Sequence, residues 1–408
     1  MIDIGYNATL VAIGAGLLGV AAGVIGAFLY FRKRSLMSDA ISHATLPGVA
    51  IAFLVMVALG GEGRNLVGLL TGAALSSLAG LWLVHWINRN TRLGEDAAIG
   101  AILSVFFGFG IVLLTVIQTI GAGRQAGLES FLLGSTAGML RADAYVIAVG
   151  GALALIACLI LRRPMTLVSF DAEYAATQGL RPGRVDMAMM TLALAVTVIG
   201  LKVVGLILIV ALLILPAVAA RFWSDRSEVV ALLAGVIGGV SGAVGAVISS
   251  LAPGLPTGPI IVLVAAALFT VSLILAPTRG VLAGVIAQLR FRHRVHMRQG
   301  LLALAHGHRV HEGYTLRLLR RAGLIRADGV ATSEGQREAA LAAQDERRWT
   351  VLRGRPEAAT LAAHYDGLTP IDTVLTSDQL SELDRLMKNG SNHGHATIRG
   401  AERGRSDG

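Results

Sequence analysis

The chain carries nine apolar runs, separated by short polar or basic stretches, and these runs decide what it can fold into. They cover residues 10–31, 36–60, 66–87, 97–120, 144–161, 185–200, 203–220, 229–251 and 260–276. A helix needs about 20 apolar residues to cross a ~30 Å hydrocarbon core, where backbone polar groups must be hydrogen-bonded within the segment. The sequence therefore predicts an all-α, polytopic transmembrane helical bundle of about nine spans.

The distribution of charge gives the bundle an orientation. The basic triplet Arg32-Lys33-Arg34 follows the first run, so the positive-inside rule places the N-terminus outside and the triplet in the cytoplasm. The net charge of +9 is explained by this topology and by contact with anionic membrane lipid. Nucleic acid is not an expected partner.

The composition changes after Arg279, because residues 288–408 are rich in Arg, His, Glu and Gln and contain no further membrane-length run. We predict a transmembrane domain over residues 1–285, a small cytoplasmic domain over 286–388 and a disordered polar tail over 389–408.

The predicted cytoplasmic domain has the pattern of a winged helix. Residues 314–324 have helical apolar spacing, residues 325–332 predict a hairpin that turns at Asp328-Gly329, and Thr332 begins another helix. Upstream, five of the ten histidines lie within residues 293–311. Such a cluster either binds transition metals or is a solvated basic linker.

An acid and an imidazole stand near the start of the second run. Asp39 and His43 are four residues apart and share one helix face, where a carboxylate and an imidazole can reach the same small cation. Pro47 cannot donate a backbone hydrogen bond, so we expect the helix to bend at Pro47-Gly48. Ionisable groups at membrane depth are candidates for function. The alternative is an Asp–His hydrogen bond that serves only helix packing.

Two further segments carry candidate functional residues. Glu95 and Asp96 precede the fourth run, where they either cap the helix or form an inner exit for cations. Between two basic clusters, Asp171 predicts the cap of a short helix that contains Glu173 and closes at Gly179.

Several ordered blocks resemble the manganese/zinc/iron permease family of ABC importers. They are residues 36–50 (LMSDAISHATLPGVA), 95–100 (EDAAIG), 206–221 (with LPA at 215–217) and 255–264 (LPTGP followed by an apolar run). The resemblance covers residues from about 8 to 278. One departure is Ser38, where the family more usually has Gly.

This resemblance implies a paired membrane channel, formed with a second copy or a sister permease. It implies loading by an extracytoplasmic metal-binding protein and driving by cytoplasmic ABC ATPases. The matching Asp39 and His43 would line the path, and the short helix with Asp171, Glu173 and Gly179 would dock on the ATPase. The extension after the bundle resembles a truncated diphtheria-toxin-repressor-like regulator.

We therefore expect the permease subunit of an ATP-driven importer of Mn, Zn or Fe in a bacterial inner membrane. The chain has no Gly-x4-Gly-Lys-Ser/Thr loop, so we expect a partner to bind and hydrolyse ATP and the permease itself to be no enzyme. No permanently bound cofactor is expected. Two alternatives are a gradient-driven secondary metal carrier and a membrane-tethered metal-responsive regulator.

Overall fold

The computed structural model describes residues 6–61, 63, 65–120, 141–201, 205–251, 255–355 and 358–387. Within these ranges the chain is helical, and its β pairing is limited to one isolated antiparallel bridge between Ile325 and Ala331. The chain divides into two compact units, Met1–Ala283 and Gly284–Gly408. The tail that we predict to be disordered, residues 389–408, lies outside the described residues.

Ten of the helices precede residue 280. They are α1 (Tyr6–Phe31), α2 (Ser35–Ala58), α3 (Leu66–Asn90), α4 (Glu95–Ile120), α5 (Arg141–Phe170), α6 (Ala172–Thr177), α7 (Pro182–Gly200), α8 (Leu206–Arg221), α9 (Ser227–Ser250) and α10 (Thr257–Leu275). They are followed by α11 (Val281–Ala305), α12 (Gly313–Arg321), α13 (Ser333–Arg353), α14 (Ala359–Ala362), a 3₁₀ turn (Ile371–Thr373) and α15 over 377–387.

Eight helices in the described ranges are long and apolar enough to cross a bilayer, namely α1 to α5, α7, α9 and α10. The predicted run at 203–220 forms α8, which has 16 residues. At about 1.5 Å per residue this helix covers about 24 Å, which is less than a ~30 Å core. The expectation of about nine spans is therefore corrected to eight candidate spans and one shorter apolar helix.

Small residues allow close approach of the helices in the first unit. A Cβ atom added to Gly19 in α1 would collide with the carbonyl of Gly238 in α9, and the reverse holds for Gly238. The same reciprocal contact joins Gly48 in α2 to Gly72 in α3. Apolar burial drives helix association only weakly in lipid, so such close backbone packing carries much of the stability. It also fixes the position of α2, which carries the candidate site.

The second unit has its own small core, built around Trp349 of α13. This side chain is fully buried, and its indole Nε1 donates a hydrogen bond to the carbonyl of Thr369. Before it, α12 is followed by the bridge at Ile325, and Thr332 caps α13 by accepting a hydrogen bond from Gly335. The order here is a helix, a turn with one antiparallel bridge and a second helix, and the winged helix stays a prediction.

Candidate functional site

Asp39 and His43 form a pair on the membrane helix α2. The His43 Nε2 atom lies 3.3 Å from Asp39 Oδ1, in the i, i+4 arrangement that the sequence predicts. The side chain of Asp39 is 37% exposed and that of His43 is 17% exposed. The pair is thus neither sealed in the core nor fully open.

The second ring nitrogen of His43 is available for a further interaction. Its Nδ1 atom is buried and has no hydrogen-bond partner among the described residues. The ring packs edge-on against Phe107 of α4, with 4.9 Å between the ring centroids and 83° between the planes. A buried polar atom without a partner costs about 1–3 kcal/mol, so its presence in a folded protein needs a reason.

Hydroxyl groups around the pair donate hydrogen bonds to backbone carbonyl groups. Ser77 of α3 donates to the carbonyl of Ile41 over 3.1 Å, and Thr45 donates to the carbonyl of Ser42 over 2.6 Å. Ser38 is fully buried and donates to the carbonyl of Ser35 over 2.6 Å. Ser38 stands where the family more usually has Gly, and its hydroxyl is used in this hydrogen bond within α2.

Pro47 and Gly48 lie within α2 without interrupting it. The helix is continuous from Ser35 to Ala58, with both residues buried. Gly48 allows the backbone contact with Gly72, so it sets the distance between α2 and α3. The bend that Pro47 favours stays a prediction.

Glu95, at the start of α4, takes part in an ion-pair network. Arg34, which precedes α2, lies 3.1 Å from Glu95 and 3.4 Å from Asp186 of α7. Arg32 binds Asp186 in bidentate fashion, with two N–O distances of 2.8 Å. Hydrogen bonding to Asp186 raises the pKa of the Arg32 guanidinium above its usual value. The network joins the ends of α1, α2, α4 and α7.

Sequence reasoning missed Asp186. This carboxylate is 7% exposed and lies at the start of an apolar run, where a buried acid requires a cationic partner. The basic triplet that begins with Arg32 was the available signal. Asp96, the neighbour of Glu95, is exposed instead. Neither Glu95 nor Asp96 joins Asp39 and His43 in a metal-ligand group within the described ranges, where no cluster of three such residues occurs.

The short helix α6 forms as its sequence predicts. Asp171 caps it, since its Oδ1 atom accepts a hydrogen bond from the amide of Tyr174 over 2.8 Å. Gly179 ends the segment in the left-handed region, at φ +80°. Glu173 and Tyr174 are exposed, whereas Ala175 is buried. The helix thus presents side chains outward from a fixed backbone.

The C-terminal histidines are not gathered into a metal centre within the described part of the chain. His296 contacts Glu312 and Thr315, each at 3.0 Å. The rings of His306 and His308 stack with their centroids 6.0 Å apart. These contacts are structural pairs with too few ligands for a closed site.

Comparison with known proteins places the first unit in a family. The sequence profile of the ABC 3 transport family matches residues 5–276. The manganese transport system membrane protein MntC of Bacillus subtilis is 43% identical over 298 residues, covering 73% of this chain and 67% of MntC. The zinc transport system membrane protein TroC of Treponema pallidum is 40% identical over 294 residues, covering 72% of this chain and 96% of TroC.

A solved structure has the same fold. The structure of PsaBC from Streptococcus pneumoniae in complex with Fab matches with a TM-score of 0.59 and 30% identity, and covers 68% of this chain and 95% of that one. The matched profile spans more than half of the sequence, and eight described helices are suited to cross a bilayer. The chain is therefore a multi-pass plasma-membrane protein that belongs to the ABC 3 transport family.

Proposed function

We propose that this chain is the permease subunit of an ATP-driven importer of divalent Mn, Zn or Fe ions. Its relatives MntC and TroC are named for manganese and zinc transport, which supports this class of cargo. The observation that carries the proposal is the half-buried Asp39–His43 pair on a membrane helix, in which one imidazole nitrogen has no hydrogen-bond partner among the described residues. Carboxylate and imidazole ligands suit all three ions, so the donors do not select among them.

The cation would enter from the extracytoplasmic side, delivered by a metal-binding protein. It would exchange part of its water shell for an Asp39 oxygen and a His43 nitrogen. Two ligands do not close a coordination sphere, so the same residues of a second copy, or those of a sister permease, would complete it. This pairing explains why one chain carries an incomplete site.

ATP hydrolysis would act on this site through α6. A partner ATPase would bind the exposed face of α6, which contains Glu173 and is fixed by Asp171 and Gly179. The ring of Phe170, next to Asp171, lies 5.6 Å from that of Phe31, which precedes Arg32 in the ion-pair network. A rigid-body rotation of the ATPase could thereby move the start of α2.

Residues 286–388 would form a winged-helix-like regulatory domain on the cytoplasmic side. The support is the succession of α12, the antiparallel bridge at Ile325 and the capped helix α13. We expect truncation after residue 305 to leave ATP-driven uptake intact and to remove its response to internal metal. Uptake by both forms at each internal metal concentration tests this role.

The experiment that tests the transport function measures ATP-dependent uptake of Mn, Zn and Fe into proteoliposomes. These contain the chain, its ATPase and its binding protein. We expect Asp39→Asn and His43→Gln to abolish uptake of the cargo metal while the complex still assembles and hydrolyses ATP. His85→Gln is the matched control, because His85 is exposed on another membrane helix.

The outcomes separate the alternatives. Full uptake by both site variants would reduce the pair to a packing role. Absence of ATP-dependent uptake by an assembled wild-type complex would favour a gradient-driven carrier or a membrane-tethered regulator. For coupling, we expect Asp171→Ala and Gly179→Ala to lower transport per ATP hydrolysed, with metal binding unchanged.

A further inference from the structure

The first half of α11 has a stripe of exposed apolar side chains. Its large apolar side chains on one side are all exposed by 39% or more: Val281, Leu282, Val285, Ile286 and Leu289. With about 100° between successive residues, these five positions fall within an arc of about 140°. The opposite side carries the small residues Ala283, Gly284 and Ala287, and also the exposed Phe291.

Basic residues border the stripe. Residues 281–305 contain no Asp or Glu, and Arg290, Arg292 and Arg294 follow Leu289, the last position of the stripe. On the helical wheel, Arg290 lies about 40° beyond the edge at Ile286, Arg292 falls inside the arc beside Val281, and Arg294 points away from the stripe. Arg292 also stacks on the ring of Tyr314, 4.8 Å from its centroid. No ion pair involves Arg290 among the described residues, and its side chain is exposed.

The segment that leads into α11 is fixed at the end of the membrane bundle. After α10 ends at Leu275, Arg279 binds Asp225 at 2.7 Å, and Thr278 donates to the carbonyl of Trp223 over 3.0 Å. Trp223 is partly exposed beside charged residues, as is typical of the membrane interface. The chain therefore enters α11 within a few residues of the bilayer surface.

We propose that the first half of α11, residues 281–292, lies in the headgroup region of the bilayer and binds anionic phospholipid. The apolar stripe contacts the acyl boundary, and Arg290 and Arg292 contact lipid phosphates. A helix with an apolar face, a basic border and no acidic residue is suited to this surface. Membrane lipid is the occupant favoured by position, because the helix begins where the last span ends.

Spin labels on the full chain in nanodiscs test the proposal. Cys158 is the only cysteine, so Cys158→Ala provides the background. Labels are then placed at Leu289→Cys on the stripe and at Ala287→Cys on the opposite side. We expect the label at 289 to be accessible to oxygen, which dissolves in lipid, and the label at 287 to be accessible to a water-soluble nickel complex.

The second part of the experiment varies the charge of the lipid and of the helix. We expect replacing phosphatidylcholine with 30% phosphatidylglycerol to raise the inserted fraction at position 289. Each arginine near an anionic surface contributes about a fivefold change in this equilibrium, so Arg290→Gln should lower the ratio of inserted to solvated label about fivefold in the anionic nanodiscs. Arg294→Gln, which removes an arginine that points away from the stripe, should leave the ratio unchanged.

Two results would overturn the proposal. Equal access of the nickel complex to positions 289 and 287 would show that the stripe is solvated. Protection of position 289 from both reagents, independent of lipid charge, would show that a protein surface covers it, such as a second copy or the ATPase.

Discussion

Loss of the Asp186 carboxylate should destabilise the membrane unit more than loss of a similar carboxylate at its surface. Asp186→Asn keeps the shape of the side chain and removes the charge that faces Arg32 and Arg34. Breaking a buried pair costs about 3–5 kcal/mol, and exposed pairs contribute about 0–1 kcal/mol. The Asp186 side chain is 10% exposed and both arginines are 23% exposed. We therefore expect a loss of about 2–3 kcal/mol.

Asp225 provides the matched control. It also contacts two arginines, Arg221 at 3.0 Å and Arg279 at 2.7 Å, but its side chain is 56% exposed. Asp225→Asn should therefore cost no more than about 1 kcal/mol. In a thermal unfolding assay in detergent, 1 kcal/mol corresponds to about 2–4 °C for a domain of this size range, so we expect Asp186→Asn to lower Tm by about 4–12 °C.

A double-mutant cycle identifies the cause. If the Arg32–Asp186 pair carries the effect, Arg32→Gln and Asp186→Asn should be non-additive by about 1–2 kcal/mol. Equal Tm losses for Asp186→Asn and Asp225→Asn, or additive effects in the cycle, would refute the reasoning that burial sets the strength of this pair.

Two further predictions concern packing and pH. Gly48→Ala should lower Tm strongly, because the new Cβ would meet the carbonyl of Gly72, whereas Gly100→Ala should not, because open space surrounds Gly100; thermal unfolding of both variants checks this. Glu346 is desolvated, but hydrogen bonds, including one of 2.6 Å from Tyr365, lower its pKa below the usual 4.5. Because the pKa of Glu346 is lower in the folded than in the unfolded chain, the ionised carboxylate stabilises the fold above pH 4.5. This stabilisation is lost as the pH falls through the pKa of the folded state. Hydrogen exchange of the second unit should show the stability gap between wild type and Glu346→Gln closing as the pH falls below 4.5.

Features encoded by local spacing could be predicted from the sequence. The second apolar run, 36–60, corresponds to α2 at Ser35–Ala58, and the separation of Asp39 and His43 by four residues places them 3.3 Å apart. The cap at Asp171 and the left-handed Gly179 follow from the same kind of short-range rule. Each depends on contacts between residues that are close in the chain.

Features that depend on tertiary contact could not be read in the same way. Arg32 and Asp186 are 154 positions apart, so no local pattern pairs them. The contact between the Phe107 and His43 rings could not be predicted either, because it forms only when α4 packs on α2. The shortness of α8 does follow from the sequence, because only residues 201–202 separate the runs 185–200 and 203–220, which leaves each run short.

The site that we propose at Asp39 and His43 leads to a last prediction, because a transport site must release its ion as well as bind it. Binding that is too strong traps the ion, so adding a donor to the proposed site should slow its release. The Phe107 ring lies 4.9 Å from the His43 ring, which makes Phe107→His able to add a third donor. We expect this variant to retain more Zn after dilution and to import it more slowly, while Phe107→Leu, which adds no donor, retains no more Zn than wild type. Zn retention by the purified complex and uptake by proteoliposomes measure the two effects. Faster uptake together with unchanged retention in Phe107→His would contradict the view that the ion pauses beside His43.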